Sequence, residues 1–538
     1  MLISALVLAA LMLQGPCLTL CAADEMTAEY DNPIISGFHP DPSVCRDDQG
    51  RYLIVCSSFH YFPGVPIYES WDMKHWRQIG NVLDRASQLP LEAACSWLGI
   101  YAPTIRYNDG VYYMITTNVG NGGNFMVTAT DPRGPWSEPL WLEQEGIDPS
   151  LLFEDGRCYM VSNPNEVITL CEIDPATGAT LSPSREIWRG TGLRHPEGPH
   201  IYKKDGWYYL LISEGGTELA HGLTMARARD IYGPYEACPR NPIFTHCNRA
   251  GQDSRIQGTG HGDLVQDGDG QWWMVMLAYR QLGDGAYHHL GRETFLAPVE
   301  WDNDGWPVVN GGQPLQEQTE VTEQPRLSET NPPYNNTAVL GFGQTGPEWL
   351  HIQNADSSKY ELLEGSTSRP WERVLRMHGS RATLSQGEQP TFLGRRQEAP
   401  GVIVETWVEV GNLNVGDEAG LTIYQIYNGH AEIAVRREAD GSLSVVSRAT
   451  VKSLVKEEVL GHLTGKSTKL GIVGTGSSYV LLAQESSVDD ILECEPLDCA
   501  LLSTEVVGGF TGVTIGMYVT GSGSADFCWF DYEEMEQQ

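Results

Sequence analysis

The sequence predicts an all-β chain, a five-bladed β-propeller followed by a β-sandwich, and three observations predict it. A phrase recurs five times: a short polar motif, eight or nine residues on a glycine turn (Gly50, Gly110, Gly156, Gly206, Gly270), then an aromatic strand. The composition agrees, because 58 Gly, 31 Pro, 15 Trp, 23 Tyr and 12 Phe among 538 residues suit a turn-rich β protein too long for one ordinary core. Long helical periodicity is absent both within the repeats and beyond them.

In chain order, residues 1–23 read as a secretory signal. An apolar stretch from Leu2 to Leu13, too short to span a bilayer, precedes Ala22-Ala23 and then Asp24-Glu25. The expected location is therefore secreted, extracellular or periplasmic. Residues 24–320 carry the five phrases, with strands such as Val111-Tyr112-Tyr113-Met114-Ile115 and Trp207-Tyr208-Tyr209-Leu210-Leu211. An outer-strand signal recurs as Ser70-Trp71-Asp72, Asp131-Pro132-Arg133-Gly134-Pro135-Trp136 and Asp230-Ile231-Tyr232-Gly233-Pro234-Tyr235. Repeats of this kind cannot bury their own faces and pack as blades around an axis. The blade pattern stops after Trp301-Asp302-Asn303-Asp304-Gly305-Trp306-Pro307, and residues 321–337, rich in Gln, Glu, Thr, Pro and Asn, read as a linker. Residues 338–538 return to alternation, for example at 402–410, 421–427, 511–518 and 527–532, the pattern of a sandwich.

Charge limits the partners. Asp plus Glu number 70 against 35 Lys plus Arg, a net charge of -35. Such a surface repels phosphate backbones and anionic headgroups, so nucleic acid and membrane surfaces are not expected and a neutral substrate is. The 12 cysteines show no Cys-x-x-Cys pair and support no zinc site. Cys494 with Cys499, and Cys238 with Cys247, are close enough in sequence to form local disulfides; buried free thiols are the alternative. Asn335-Asn336-Thr337 is a glycosylation sequon.

Counting back from each glycine turn lands on Asp41, Tyr101, Asp148, Glu197 and His261. Equivalent positions of the blades converge on the axis, so these residues are expected in one pocket. The three acids sit in His39-Pro40-Asp41-Pro42, Ile147-Asp148-Pro149 and Pro196-Glu197-Gly198, where proline fixes φ and removes a donor, and each carboxylate is expected to face inward. A lone Asp-Pro is a turn signal; three acids at one register suit glycosidic cleavage. That reaction needs a protonated acid for the leaving oxygen and a second carboxylate to attack or to activate water. A third carboxylate is expected to raise the pKa of the acid by repulsion. Spacing alone leaves inversion and retention open.

Several longer stretches then carry a resemblance: 32–43 around Asp41, 57–67 around Phe59, Glu197-Gly198-Pro199-His200, Ser213-Glu214-Gly215-Gly216-Thr217, 260–265 around His261, and Leu290-Gly291-Arg292-Glu293-Thr294-Phe295. They resemble glycoside hydrolase family 43, five-bladed propellers that act on arabinose- and xylose-containing polysaccharides and invert the anomeric centre. The resemblance implies Asp41 as general base, Glu197 as general acid and Asp148 as the residue that tunes and orients Glu197. It implies that Phe59 stacks on the terminal sugar and that Arg292 hydrogen-bonds its hydroxyls. Tyr101 departs from the Trp usual in the family's β-xylosidases, and a smaller, more polar ring is expected to widen the pocket. No cofactor is required by the resemblance, which does imply a structural calcium near His261; read alone, that histidine is a packed side chain, and calcium wants several oxygen ligands. Residues 321–538, with Phe392-Leu393-Gly394-Arg395-Arg396-Gln397, are similar to the concanavalin-like sandwich of the β-xylosidase branch, either a carbohydrate-binding module or a wall of the pocket. The expected function is an exo-acting, inverting glycoside hydrolase that releases a terminal β-D-xylosyl or α-L-arabinofuranosyl unit from neutral plant oligosaccharides or polysaccharides. An endo-arabinanase and a non-catalytic sugar-binding propeller are the alternatives.

Overall fold

A computed structural model describes residues 28–538 apart from 249, 284, 322–337, 341–345, 367–368, 486–489 and 536–538. The signal segment 1–23, most of the linker and the Asn335 sequon lie outside the described residues.

Five antiparallel sheets form from consecutive segments. Blade 1 is Ser43–Arg46, Tyr52–Val55, Gly64–Ser70 and Arg77–Leu83; blade 2 is Thr104–Asn108, Val111–Val119, Gly123–Ala129 and Leu140–Trp141, with Gly99–Ile100 added. Blade 3 is Ile147–Glu154, Arg157–Asn163, Ile168–Ile173 and Arg185–Trp188; blade 4 is Glu197–Lys204, Trp207–Glu214, Gly222–Ala228 and Glu236–Ala237. Blade 5 is Ile256–Gln266, Trp272–Arg280, Glu293–Trp301 and Pro307–Val309. The recurring glycines close the first hairpin of each blade. In blades 2 to 4 the turn is Asp-Gly with both residues at positive φ, for instance Asp109 at 49° and Gly110 at 82°, the turn whose twist matches that of the strands.

The first strands of the blades contact one another in a closed ring around the axis. Asp263, fully buried in blade 5, stitches that ring. Its Oδ2 accepts from Ser43 Oγ (2.7 Å), Val44 N (3.0 Å) and Arg106 Nη1 (2.7 Å), and its Oδ1 from Tyr202 OH (2.6 Å) and Arg106 Nη2 (3.1 Å). One carboxylate thus joins blades 1, 2, 4 and 5. Ser150 Oγ of blade 3 donates to the Pro199 carbonyl of blade 4 at 2.6 Å. Apolar side chains fill the space between blades, as where Leu53, Val55 and Val82 meet Ile105, Met114 and Phe125. Ala28–Asp31 pairs antiparallel with Gln318–Val321, beside the end of blade 5.

The second domain stacks two antiparallel sheets. One is built mainly on Arg369–His378, Ser524–Glu534, Gly401–Glu409 and Ser467–Thr475, and the other on Thr514–Thr520, Glu418–Ile426, Gly429–Arg437 and Leu443–Val451. Alternate residues such as Val402, Val404, Leu421, Ile423, Ile433 and Ile472 meet in a dry core. The sandwich grips the propeller at several places, a strand pair and an aromatic cluster among them. His351–Ile352 adds to Tyr61–Phe62 as an antiparallel pair, and Phe38, Phe59 and Tyr61 share a buried cluster with Phe392, Tyr424 and Tyr518. All ten cysteines of the described residues are free thiols, so neither candidate disulfide is formed. Cys238 is buried while Cys247 is exposed, and Cys494 Sγ accepts from the Leu481 amide at 3.3 Å while Cys499 is buried.

Candidate active site

The inner strands of blades 1, 3, 4 and 5 enter through a distorted step. Asp41 (φ 54°), Asp148 (φ 52°) and His261 (φ 43°) take the left-handed conformation, and Glu197 is followed by Gly198 at 59°. The strand register shifts at Ile147/Ser150, Glu197/His200 and Gln257/Gly260. A bulge of this kind re-aims one side chain, here toward the axis, and strain of about 1–3 kcal/mol per residue is typical of such sites. At Asp148 and Glu197 a bulge thus accompanies the flanking prolines in setting the direction of the side chain.

The five register residues, with Phe59 and Arg292, line one cavity of about 350 Å³. It also takes in Trp97, His195, Thr217 and Phe510, which the sequence reading did not single out. Trp97, His195 and Thr217 sit on connections with no fixed register, and Phe510 arrives from the sandwich. The sandwich is thus a wall of the pocket.

Asp41 is gripped on both oxygens. Ser57 Oγ donates to Oδ2 at 2.6 Å and Arg292 Nη1 to Oδ1 at 3.0 Å, with His261 Nδ1 3.7 Å away. Burial pushes its pKa up, but Arg292, then His261 and Ser57, outweigh burial and leave it below the usual carboxylate range. Asp41 is an anion at neutral pH.

Asp148, buried, and Glu197, half-buried, are neighbours that titrate as a pair. Burial, then repulsion by Glu197 and Asp41, raises Asp148 well above the usual range, although Gly198 N donates to its Oδ2 at 3.1 Å. Burial also raises Glu197, but His221, whose Nε2 lies 3.2 Å from Glu197 Oε1, and the charge of His261 reverse this and hold it below its ordinary value. Asp148 is thus the raised member of the pair and Glu197 the lowered one, whereas the sequence reading expected the third carboxylate to raise the acid. His221 was invisible in sequence. Its Nδ1 lies 3.1 Å from the Gly258 carbonyl, which can only accept, so that nitrogen carries the hydrogen.

Arg292 is more committed than the sequence suggested. Besides Asp41 it donates to Thr217 Oγ1 (3.0 Å) and to the Phe510 carbonyl (3.4 Å), and its guanidinium lies 5.8 Å and 5.6 Å from the Phe59 and Phe510 rings. Phe59, Tyr101 and Phe510 form an aromatic floor, with ring centroids 5.3 to 6.0 Å apart. The Tyr101 hydroxyl donates to the Trp97 carbonyl at 2.6 Å, so the polarity expected at that position is already engaged.

His261 packs its ring on Gly198, where a Cβ would come within 3.1 Å of it. Burial lowers its pKa, although Asp41 and Glu197 oppose this. The surroundings do not fit calcium: Asp41 is the carboxylate beside it, and among the described residues no group of three His, Cys, Asp or Glu is placed to hold a metal ion.

A propeller whose axial cavity brings together a buried anionic carboxylate and a proton-sharing carboxyl pair has the equipment of a glycoside hydrolase. Residues 30–307 match glycosyl hydrolases family 43, and residues 343–533 match the beta xylosidase C-terminal concanavalin A-like domain. The chain belongs to glycosyl hydrolases family 43. It is 39% identical over 517 residues to a non-reducing end alpha-L-arabinofuranosidase of Bacteroides ovatus, covering 94% of each chain. It is also 39% identical to a xylosidase/arabinosidase of Butyrivibrio fibrisolvens, covering 94% of this chain and 99% of that one. Among solved structures, xylan beta-1,4-xylosidase from Bacillus halodurans superposes with a TM-score of 0.85 at 32% identity, over 94% of this chain and all of that one.

Proposed function

We propose that the protein is an exo-acting, inverting glycosidase that removes a terminal pentose, β-D-xylosyl or α-L-arabinofuranosyl, from neutral hemicellulose fragments. The observation that carries this reading is the division of labour among the three acids. Asp41, held anionic by Arg292 and Ser57, is the general base: it takes a proton from water, whose oxygen bonds to the anomeric carbon. The Asp148/Glu197 pair holds one proton, which stands on Glu197 as the glycosidic bond breaks and passes to the leaving oxygen. Asp148 keeps the proton in the pair and fixes the Gly198 amide beside Glu197. The names of the relatives, arabinofuranosidase and xylosidase, support a terminal pentose, and the cavity closed by Phe510 suits an exo enzyme rather than an open endo-acting cleft. No step is routed through a metal or cofactor. Residues 1–23 are proposed to direct secretion, which would bring the enzyme to plant polysaccharide outside the cytoplasm.

The test compares aryl β-D-xyloside and aryl α-L-arabinofuranoside with natural oligosaccharides. Asp41→Ala should lose about 10³-fold or more in kcat on all substrates, whereas Glu197→Ala should keep much of its activity on an aryl glycoside whose leaving group needs little protonation. Equal losses on both substrate types in Glu197→Ala would remove it as the acid.

A further inference from the structure

The sandwich reaches the pocket through one stretch of chain, residues 503–513, bracketed by Leu502 and Val513 of the sandwich core. It begins as the short helix Thr504–Val507 and then carries Phe510 to the cavity. On the way it runs between Ser96 and Trp97, which lead into blade 2, and the connection 287–292 of blade 5.

Three glycines let it lie this close. A Cβ on Gly512 would come within 2.0 Å of the Leu290 carbonyl oxygen, one on Gly509 within 3.0 Å of Ser96 Cβ, and one on Gly508 within 2.9 Å of the Trp97 ring. Gly508 and Gly509 also stand at φ 85° and 89°. Backbone bonds fix both edges: Phe510 N donates to the Ser96 carbonyl at 3.1 Å, and Val513 N to the His289 carbonyl at 2.9 Å.

Glu505 is the one charged residue between 503 and 513. Its carboxylate closes on a single propeller residue from two sides. Oε1 accepts from His288 Nδ1 at 2.6 Å, and Oε2 from the His288 backbone N at 3.1 Å. Burial pushes the Glu505 pKa up, but its bonds from His288 and the charge of that ring outweigh burial and leave it below the ordinary value. His288 is a firm post, 5% exposed and stacked on Tyr279 with ring centroids 4.0 Å apart. Four residues on, the same connection carries Arg292, which donates to the Phe510 carbonyl. The two stretches of chain thus meet twice, at Glu505 with His288 and at Phe510 with Arg292.

We propose that Glu505 is a positioning residue for the terminal sugar: its grip on His288 holds 503–513 against blade 5 and sets the Phe510 ring beside Phe59, Tyr101 and Arg292. The width of the pocket at this wall is accordingly fixed by a side chain outside the cavity. The proposal rests on the cavity as the seat of the terminal pentose.

The experiment measures kcat and KM of wild type, Glu505→Ala, Glu505→Gln, Phe510→Ala and the Glu505→Ala/Phe510→Ala double variant on aryl β-D-xyloside and aryl α-L-arabinofuranoside, with amide hydrogen exchange of wild type and Glu505→Ala beside it. KM should rise about fivefold in Glu505→Ala, close to the effect of removing the ring, with kcat within about threefold of wild type. Glu505→Gln, whose carbonyl still accepts one of the two bonds, should fall between them, and it carries the same test should Glu505→Ala fail to fold. In the double variant KM should exceed that of Phe510→Ala by less than about twofold, because residues acting through one contact are not additive. A KM within about twofold of wild type in Glu505→Ala, or a double variant in which the two increases multiply, overturns the proposal. So does a fall in kcat as large as the rise in KM, which would place the effect on the acids. The amides of Phe510 and Val513 should exchange about tenfold faster or more in Glu505→Ala, while those of the sandwich core, such as Ile423 and Ile433, keep their protection. Unchanged exchange at Phe510 and Val513, or lost protection throughout the sandwich, overturns the grip. If wild type cleaves neither pentoside, the proposed function falls, and exchange alone then decides the grip.

Discussion

At the scale of single residues, Asp41 is decided by its partners. The base must be ionised to work, and Arg292 is the largest influence opposing its burial. Removing that charge in Arg292→Met should raise the pKa of Asp41, so the acid limb of the kcat/KM profile moves to higher pH and activity at mildly acidic pH is lost first. Arg292→Lys should move it less. At the optimum, kcat/KM should fall about tenfold or more in Arg292→Met, the value of one charge-assisted hydrogen bond. An unmoved acid limb, measured by pH-dependent steady-state kinetics, would separate Arg292 from the base. The acids were legible in the sequence because each repeat places its first strand eight or nine residues before a glycine turn. The protonation order was not, since it depends on His221, which stands before the third strand of blade 4 and has no counterpart in the repeat.

At the scale of the strand, the functional device is the bulge. Gly198 accepts φ 59° without strain and leaves room for the His261 ring, so it lets Glu197 step out of the ladder. Gly198→Ala should destabilise the protein by about 1–3 kcal/mol, read by chemical denaturation, and should lower kcat as His261 shifts against Asp41 and Glu197. An alanine variant with wild-type stability and rate would show that the step is not strained. Hairpins with Asp-Gly turns could be read directly, because the turn chemistry is local. The bulges could not be, because the sequence shows only Pro and Gly near each acid, and the same residues also mark ordinary turns.

At the scale of the molecule, two features bind the parts together. Asp263 is one, a buried acid whose partners span four blades. Its pKa lies below the usual carboxylate range: burial opposes this, but Arg106, His200 and the hydrogen bonds from Arg106 and Ser43 prevail. A depressed carboxylate contributes stability that is full above the unfolded value, about 3.9, and is lost as pH falls from there toward the folded value. Asp263→Ala should cost about 3 kcal/mol at neutral pH by leaving Arg106 unpaired, and should flatten the loss of stability on acidification. A variant as stable as wild type in thermal unfolding would make the network dispensable. Phe510 is the other, a sandwich residue inside the propeller's pocket. Phe510→Ala should raise KM roughly five- to tenfold with less effect on kcat, since each ring contact is worth about 1 kcal/mol and none touches the reacting carboxylates. Unchanged KM in steady-state assays would make the sandwich a support only. Two domains were legible from the change in pattern near residue 320, but a contact made 400 residues from the first blade leaves no trace in local periodicity.

The propeller's closure has a further consequence. Every blade is completed by its own stretch of chain, and the strand at Ala28–Asp31 lies in one ladder with Gln318–Val321. No blade is woven from both ends of the ring. The point at which the ring of blades begins is therefore movable in principle: a circular permutant of the propeller that joined those two neighbouring strands and started between two other blades would keep the cyclic order, each blade and the stitching carboxylate.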